Sequence, residues 1–147
     1  MMKIEIKKSD LKDSIKQEIS RIAAGAYSED GSSLYDGLKA TSRDESMIDS
    51  KITEALIVVH SALVRFVENV DTDDTKISIS MDLSSRRGQS KSSIIPDLVN
   101  NAMVNLVVSK YFLEKQQTKF AEEFDTLAAA DIKLLVQQIY HKAAPSF

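Results

Sequence analysis

The stretch ESMIDSKITEALIVVHSALVRFVENV, residues 45–70, limits the fold more than any other part of the chain. Its apolar residues Ile48, Ile52, Ala55, Leu56, Val59, Leu63, Phe66 and Val67 recur at three- and four-residue spacing, the mark of an amphipathic helix. At about 100° per residue they share one arc of the helix surface. The spacing predicts a helix over 46–70 with that arc on the core. Ile57 and Val64 fall on the opposite side, seven residues apart. A helix at the surface of a monomer has little use for a second apolar stripe, so both are candidate subunit-interface residues.

The rest of the composition agrees with a helical domain. The chain has 147 residues with only four Gly and two Pro. That length suits a single domain, and plentiful Leu, Ile, Val, Ala, Lys and Glu favour helix. The absence of Cys excludes disulfides, a thiolate nucleophile and a cysteine zinc site. A net charge of −3 is too mild to imply nucleic-acid binding by charge alone. No apolar run approaches the roughly 18 residues of a membrane span. MMKIEIKKSD alternates charge with Ile and has no apolar core, so no secretory signal is expected and the chain reads as intracellular and soluble.

Two strands are expected. Met2, Ile4 and Ile6 alternate with Lys3, Glu5 and Lys7, a half-exposed strand over 1–8. KISISMDL, residues 76–83, places Ile77, Ile79, Met81 and Leu83 on one face. A lone strand leaves its backbone unpaired, so 76–83 needs a partner. That partner is the N-terminal strand, of this chain or of a neighbour, and Ile77 and Ile79 join the interface candidates.

Between and after them, Leu11, Ile15, Ile19, Ile22 and Ala23 mark a helix over 9–27, with Ser9 or Asp10 as its cap. SEDGSSLYDG opens a loop over 28–45; Leu34, Tyr35 and Leu38 can pack there as a single turn. Ser42, Asp44 or Ser46 can cap the central helix. SSRRGQSKSS lies in a basic loop over 84–95, and Pro96 suits the start of a helix over 96–115. That helix is apolar nearly all round, with only Asn101, Asn105 and Ser109 as a polar seam, so it is buried on most sides. Asn101 and Asn105 are further interface candidates. After a break near 116–118, the last helix runs over 118–141 with Phe120, Phe124, Leu127, Ala128, Leu135 and Ile139 inward. The expected fold is mainly α, a four-helix bundle-like single domain over 1–147 with two short β-strands.

Few residues combine into chemistry. Asp71, Asp73 and Asp82 fall at calcium-loop positions one, three and twelve, but Lys76 stands where that loop needs Gly. A solvated turn fits better, and no metal or other cofactor is expected. His60 and His141 share no metal-binding or catalytic spacing. Asp131 sits among inward residues of the last helix, and a buried carboxylate needs a partner. Asn101, Asn105 or Ser109 could donate to it, or a basic residue of a neighbour. Arg86, Arg87 and Lys91 could touch phosphate or a partner protein, with a solvated loop as the plainer alternative. No catalytic residue is assigned, because no nucleophile stands beside a base.

The order of elements resembles a known family. A long helix with an acidic start (RDESMIDSKITEALIVVHSALVRFV) leads to a short strand (KISISMDL) and two helices (PDLVNNAMVNLVVSKYFLEKQQTKFAEEFDTLAAADIKLLVQQI). Asp44-Glu45, Tyr111-Phe112 and residues 127–132 carry the likeness, which covers about 43–140. This is similar to the head–tail connector, or neck adaptor, proteins of tailed bacteriophages and prophages. The resemblance implies a non-enzymatic virion structural protein, assembled in the bacterial cytoplasm and residing in the virion neck. It implies a homo-oligomeric ring, commonly twelvefold, between portal and tail proteins, with passing contact to DNA in the channel and none to membrane. The other reading is a small intracellular helical protein-binding or regulatory module, acting as monomer or dimer.

Overall fold

A computed structural model describes residues 2–26, 31, 33–82 and 94–140. Its elements are β1 (Met2–Lys7), α1 (Lys8–Ala24), a one-turn α2 (Tyr35–Leu38), a 3-10 turn (Ser42–Asp44), α3 (Glu45–Ala62), β2 (Val67–Thr72), β3 (Lys76–Met81), α4 (Ile94–Glu114) and α5 (Thr118–Tyr140). The fold is mainly helical, as the periodicity predicts. Four long helices share one core with a small antiparallel sheet of order β1-β3-β2.

The central helix is shorter than its apolar pattern. It ends at Ala62, and Leu63 to Phe66 form a turn in which Phe66 N–H donates to Leu63 O at 2.9 Å. The expected last two turns instead become β2, a third strand that the helical spacing concealed. Leu63 and Phe66 are still buried, so the apolar positions reach the core by a different backbone path. Val67 and Val70 are half-buried and pair with Met81 and Ile79. Pairing with β3 satisfies backbone groups that a continued helix would also satisfy, and local propensity does not separate the two. The pairing shifts register between Val67 and Asn69, a bulge that absorbs the change of direction.

β1 pairs with β3 within the chain, from Met2↔Met81 to Lys7↔Lys76. With β2 on its other side, β3 has no edge left to offer a neighbour. Ile77 and Ile79 are fully buried in this chain's own core, which removes them as interface residues. The β2–β3 turn is built by Asp73, whose carboxylate accepts from Thr75 N–H at 2.7 Å, Thr75 Oγ1 at 2.8 Å and Lys76 N–H at 2.9 Å. The acidic turn is thus a backbone device. Those three donors pull the Asp73 pKa down to about 2.

α1 begins directly after β1, without the expected Ser9 or Asp10 cap; Lys7 is its N-cap and makes no side-chain capping bond. The first N–H of α1, on Lys8, donates to Thr75 O at 2.9 Å. Thr41 caps the 3-10 turn before α3 in a capping box with Asp44. Pro96 lies in the first turn of α4, which starts two residues earlier than expected.

α4 is the middle of the molecule and packs against α1, α3 and α5. Its all-round apolar surface is therefore covered within the chain, and needs no neighbour to explain it. The turn from α4 to α5 contains neither Gly nor Pro. Gln117 N–H donates to Phe112 O at 2.8 Å and Gln116 N–H to Leu113 O at 3.1 Å, the paired bonds of a Schellman cap. This places Gln116 at φ 60°, where a side chain costs about 1 kcal/mol relative to Gly. Gln116→Gly is expected to raise stability by up to about 1 kcal/mol, seen as a higher urea midpoint with unchanged slope.

Candidate functional site

Three places gather side chains whose arrangement exceeds what packing requires. The first is the exposed apolar surface. Ile57 is 61% exposed and Val64 63% exposed, so both stand outside the core as expected. Val64 follows the end of α3, however, and the seven-residue spacing no longer places it on a helical stripe with Ile57. A second apolar feature was not foreseen. Val58 and Leu113 (60% exposed) line a groove with Leu106 and Ala121 between α3, α4 and α5, rimmed by Lys110, Glu122 and Asp125. Val58 belongs to neither the core spacing nor the opposite stripe, and Leu113 is one of many apolar residues on α4. Only packing reveals which ones remain uncovered.

The second place lies between α1, α4 and α5. Asn105 Nδ2 donates to Asp131 Oδ2 at 2.7 Å, the pairing anticipated from α4's polar seam. Asp131 is half-buried rather than buried, and Leu127, expected inward, is 50% exposed. The inward arc of α5 is narrower than its apolar pattern. Ser109 is buried but serves elsewhere, donating to Ala121 O at 2.7 Å. Asn101 is exposed and lines the same polar groove as Arg21, Asn105 and Asp131. These residues can hold a polar ligand or a neighbour's side chain by hydrogen bonds, but contain no acid–base pair beside a nucleophile.

The third place escaped sequence reasoning. Asp44 is 7% exposed. Its carboxylate accepts from Thr41 N–H at 2.9 Å and Thr41 Oγ1 at 3.2 Å, and pairs with Lys115 Nζ at 3.2 Å. Burial alone would raise its pKa, but the Thr41 N–H and Lys115 together outweigh it and hold the carboxyl below its ordinary value. Tyr111 is fully buried and donates to Leu38 O at 2.6 Å. Burial, reinforced by the Asp44 charge, raises the Tyr111 pKa strongly. Lys115 Nζ also lies 5.4 Å from the centroid of the Tyr111 ring. The cluster fastens the α2–α3 connection onto the end of α4. Thr41-x-x-Asp44 is its one sequence signal; nothing in the sequence indicates Lys115.

Ion pairs also tie α3 to its neighbours. Lys12 pairs with Asp49 and Glu45, Lys16 with Glu45, and Lys51 with Glu54 and Glu114. Asp49 is the main cause of a raised pKa at Lys12, with Glu45 adding to it. His60 is exposed. Among the described residues no group of three or more His, Cys, Asp or Glu is placed to hold a metal ion, and no helix is long and apolar enough to cross a membrane. Arg86, Arg87, Lys91 and His141 lie outside the described residues. Comparison with protein-family models, curated proteins and solved structures finds no match to this chain.

Proposed function

We propose that this chain is a non-enzymatic assembly protein that associates with copies of itself, in the manner of the head–tail connectors of tailed bacteriophages that its element order resembles. The carrying observation is the set of large apolar side chains left in solvent on and beyond α3, Ile57, Val58 and Val64, together with Leu113 at the end of α4. The core is already closed by thirty-odd buried apolar residues, so these four are not needed to build the domain. Side chains of this size gain about 1.5–3 kcal/mol each on full burial, and a neighbour can supply that burial. A ring uses two different surfaces of each copy, and the faces of Ile57 and of Val58–Leu113 point to different sides of α3. In the connector reading the ring lies in the virion neck between portal and tail proteins.

The double variant Ile57→Lys, Val64→Lys tests this. Both positions are exposed, so unfolding free energy should change by less than about 0.5 kcal/mol per site. Self-association, read by light scattering or native mass measurement over a concentration series, should weaken at least tenfold. A variant that unfolds outright, or that associates as the parent does, would remove this surface from the reading.

A further inference from the structure

We propose, resting on the self-assembly reading above, that neighbouring copies join edge to edge through the sheet, β1 of one copy pairing in parallel with β2 of the next. The two edges are identifiable bond by bond. Lys8 N–H donates to Thr75 O in continuation of the β1–β3 register. Bonded positions alternate along an antiparallel pair, so Met2, Ile4 and Ile6 bond to β3, and the backbone groups of Lys3, Glu5 and Lys7 face away. On the other side Asp73 N–H donates to Lys76 O at 3.0 Å, which assigns Asn69 and Asp71 to β3 and leaves Val70 and Thr72 facing out. Among the described residues none of these outward backbone groups makes a hydrogen bond.

A charged edge strand ordinarily stays single. Here the two edges carry opposite signs. On β1, Glu5 is taken up by Lys3 at 3.3 Å and Lys76 at 3.8 Å, and Lys7 has no carboxylate among the described residues. On β2, Glu68 and Asp71 have no cationic partner among the described residues; Asp71 accepts only from Asn69 Nδ2, at 2.9 Å. Two β2 edges would set acid against acid. A β1 edge meeting a β2 edge sets Lys7 against acid.

Both strands are antiparallel to β3, so they run the same way and their junction is a parallel pair. In the register that places Lys7 beside the next copy's Asp71, Glu5 stands beside Asn69, an amide donor. Lys7 then bonds through its backbone to Val70 and Thr72, the positions that face out, as a parallel ladder requires. A two-fold β1–β1 junction would leave both β2 edges open. The head-to-tail junction satisfies both edges of every copy, and closing the ring removes all edges.

The test uses proline, which deletes an outward N–H without touching the bonds to β3. Glu5→Pro blocks β1 and Thr72→Pro blocks β2. The parent chain should show oligomers growing with concentration, and each variant alone should associate at least tenfold more weakly. Mixed, they should form a one-to-one heterodimer, because each retains the edge that the other lacks. Should either proline variant fail to fold by circular dichroism, the charge swap decides. Lys7→Glu or Asp71→Lys alone should weaken association tenfold, and the two together should restore it. A Thr72→Pro chain that dimerises with itself overturns the proposal in favour of β1–β1 pairing. Oligomers indifferent to both prolines and to the swap, yet lost in Ile57→Lys, Val64→Lys, overturn the edge junction alone. A parent chain monomeric at every concentration overturns the junction and the self-assembly reading together.

Discussion

Phe112→Ala is expected to destabilise the domain by about 4 kcal/mol, within the range for deleting a fully buried aromatic ring. The ring is fully buried in the middle of α4. Its centroid lies 5.5 Å from that of Tyr111 in an edge-on contact, 5.4 Å from Phe120 and 6.2 Å from Phe124. Three ring contacts cannot be recovered by small shifts, because α4 is held from three sides by α1, α3 and α5. The cavity therefore stays largely open, and its cost adds to the lost transfer energy. The same residue supplies the carbonyl that closes the turn into α5, so the loss should be concentrated there. Urea unfolding measures the total. Amide exchange should quicken most at the start of α5, around Ala121 and Phe124. A loss below about 2 kcal/mol would mean that the aromatic cluster repacks, and that α5 is held mainly by Leu135 and Ile139.

Helix periodicity carried most of the fold because α1, α4 and α5 each obey one period from end to end. It failed at residues 63–70, where the spacing of Leu63, Phe66, Val67 and Val70 satisfies a helix and a turn-plus-strand alike. Only the second edge of β3, which is a tertiary fact, selects the strand. A related blindness affected the candidate interface. Strict alternation marked Ile77 and Ile79 as needing cover, but could not tell that β1, β2 and the helices supply it within the chain. On α4 the pattern overstated what is left for a neighbour. On α3 it was right about Ile57 and silent about Val58, because exposure there depends on where α4 and α5 cross it. The Asn105–Asp131 bond was legible because a carboxylate among apolar residues demands a donor, and a polar seam on the preceding helix offered one. The Asp44–Lys115 pair was not, since its partners are 71 residues apart and Lys115 belongs to a turn with no motif.

That pair supports the other large expectation. Asp44→Ala should cost about 3 kcal/mol near neutral pH. It removes the cap on the 3-10 turn, worth about 1 kcal/mol, and breaks an ion pair whose acidic member is nearly buried, worth 3–5 kcal/mol at full burial. The second figure is reduced because the Lys115 side chain is 27% exposed and keeps water as a substitute partner. Lys115→Met should cost less, about 1–2 kcal/mol, since Thr41 still donates to the carboxylate. The sign with pH follows from linkage. A carboxyl whose folded pKa lies below its unfolded value contributes its full stability above the ordinary carboxylate range, and loses it as pH falls through the folded value. Asp44 is such a group, so the gap between parent and Asp44→Ala should narrow as pH is lowered below about 4. Asp73 titrates over the same window, down to about 2, but is present in both chains and cancels from the difference. In Lys115→Met the stabilising cation is gone while burial remains, so the acid loss of stability should begin at higher pH than in the parent. Urea midpoints at neutral pH and near pH 3 measure both effects. A gap that stays constant would mean that Asp44 acts as a cap alone, with Lys115 too well hydrated to matter.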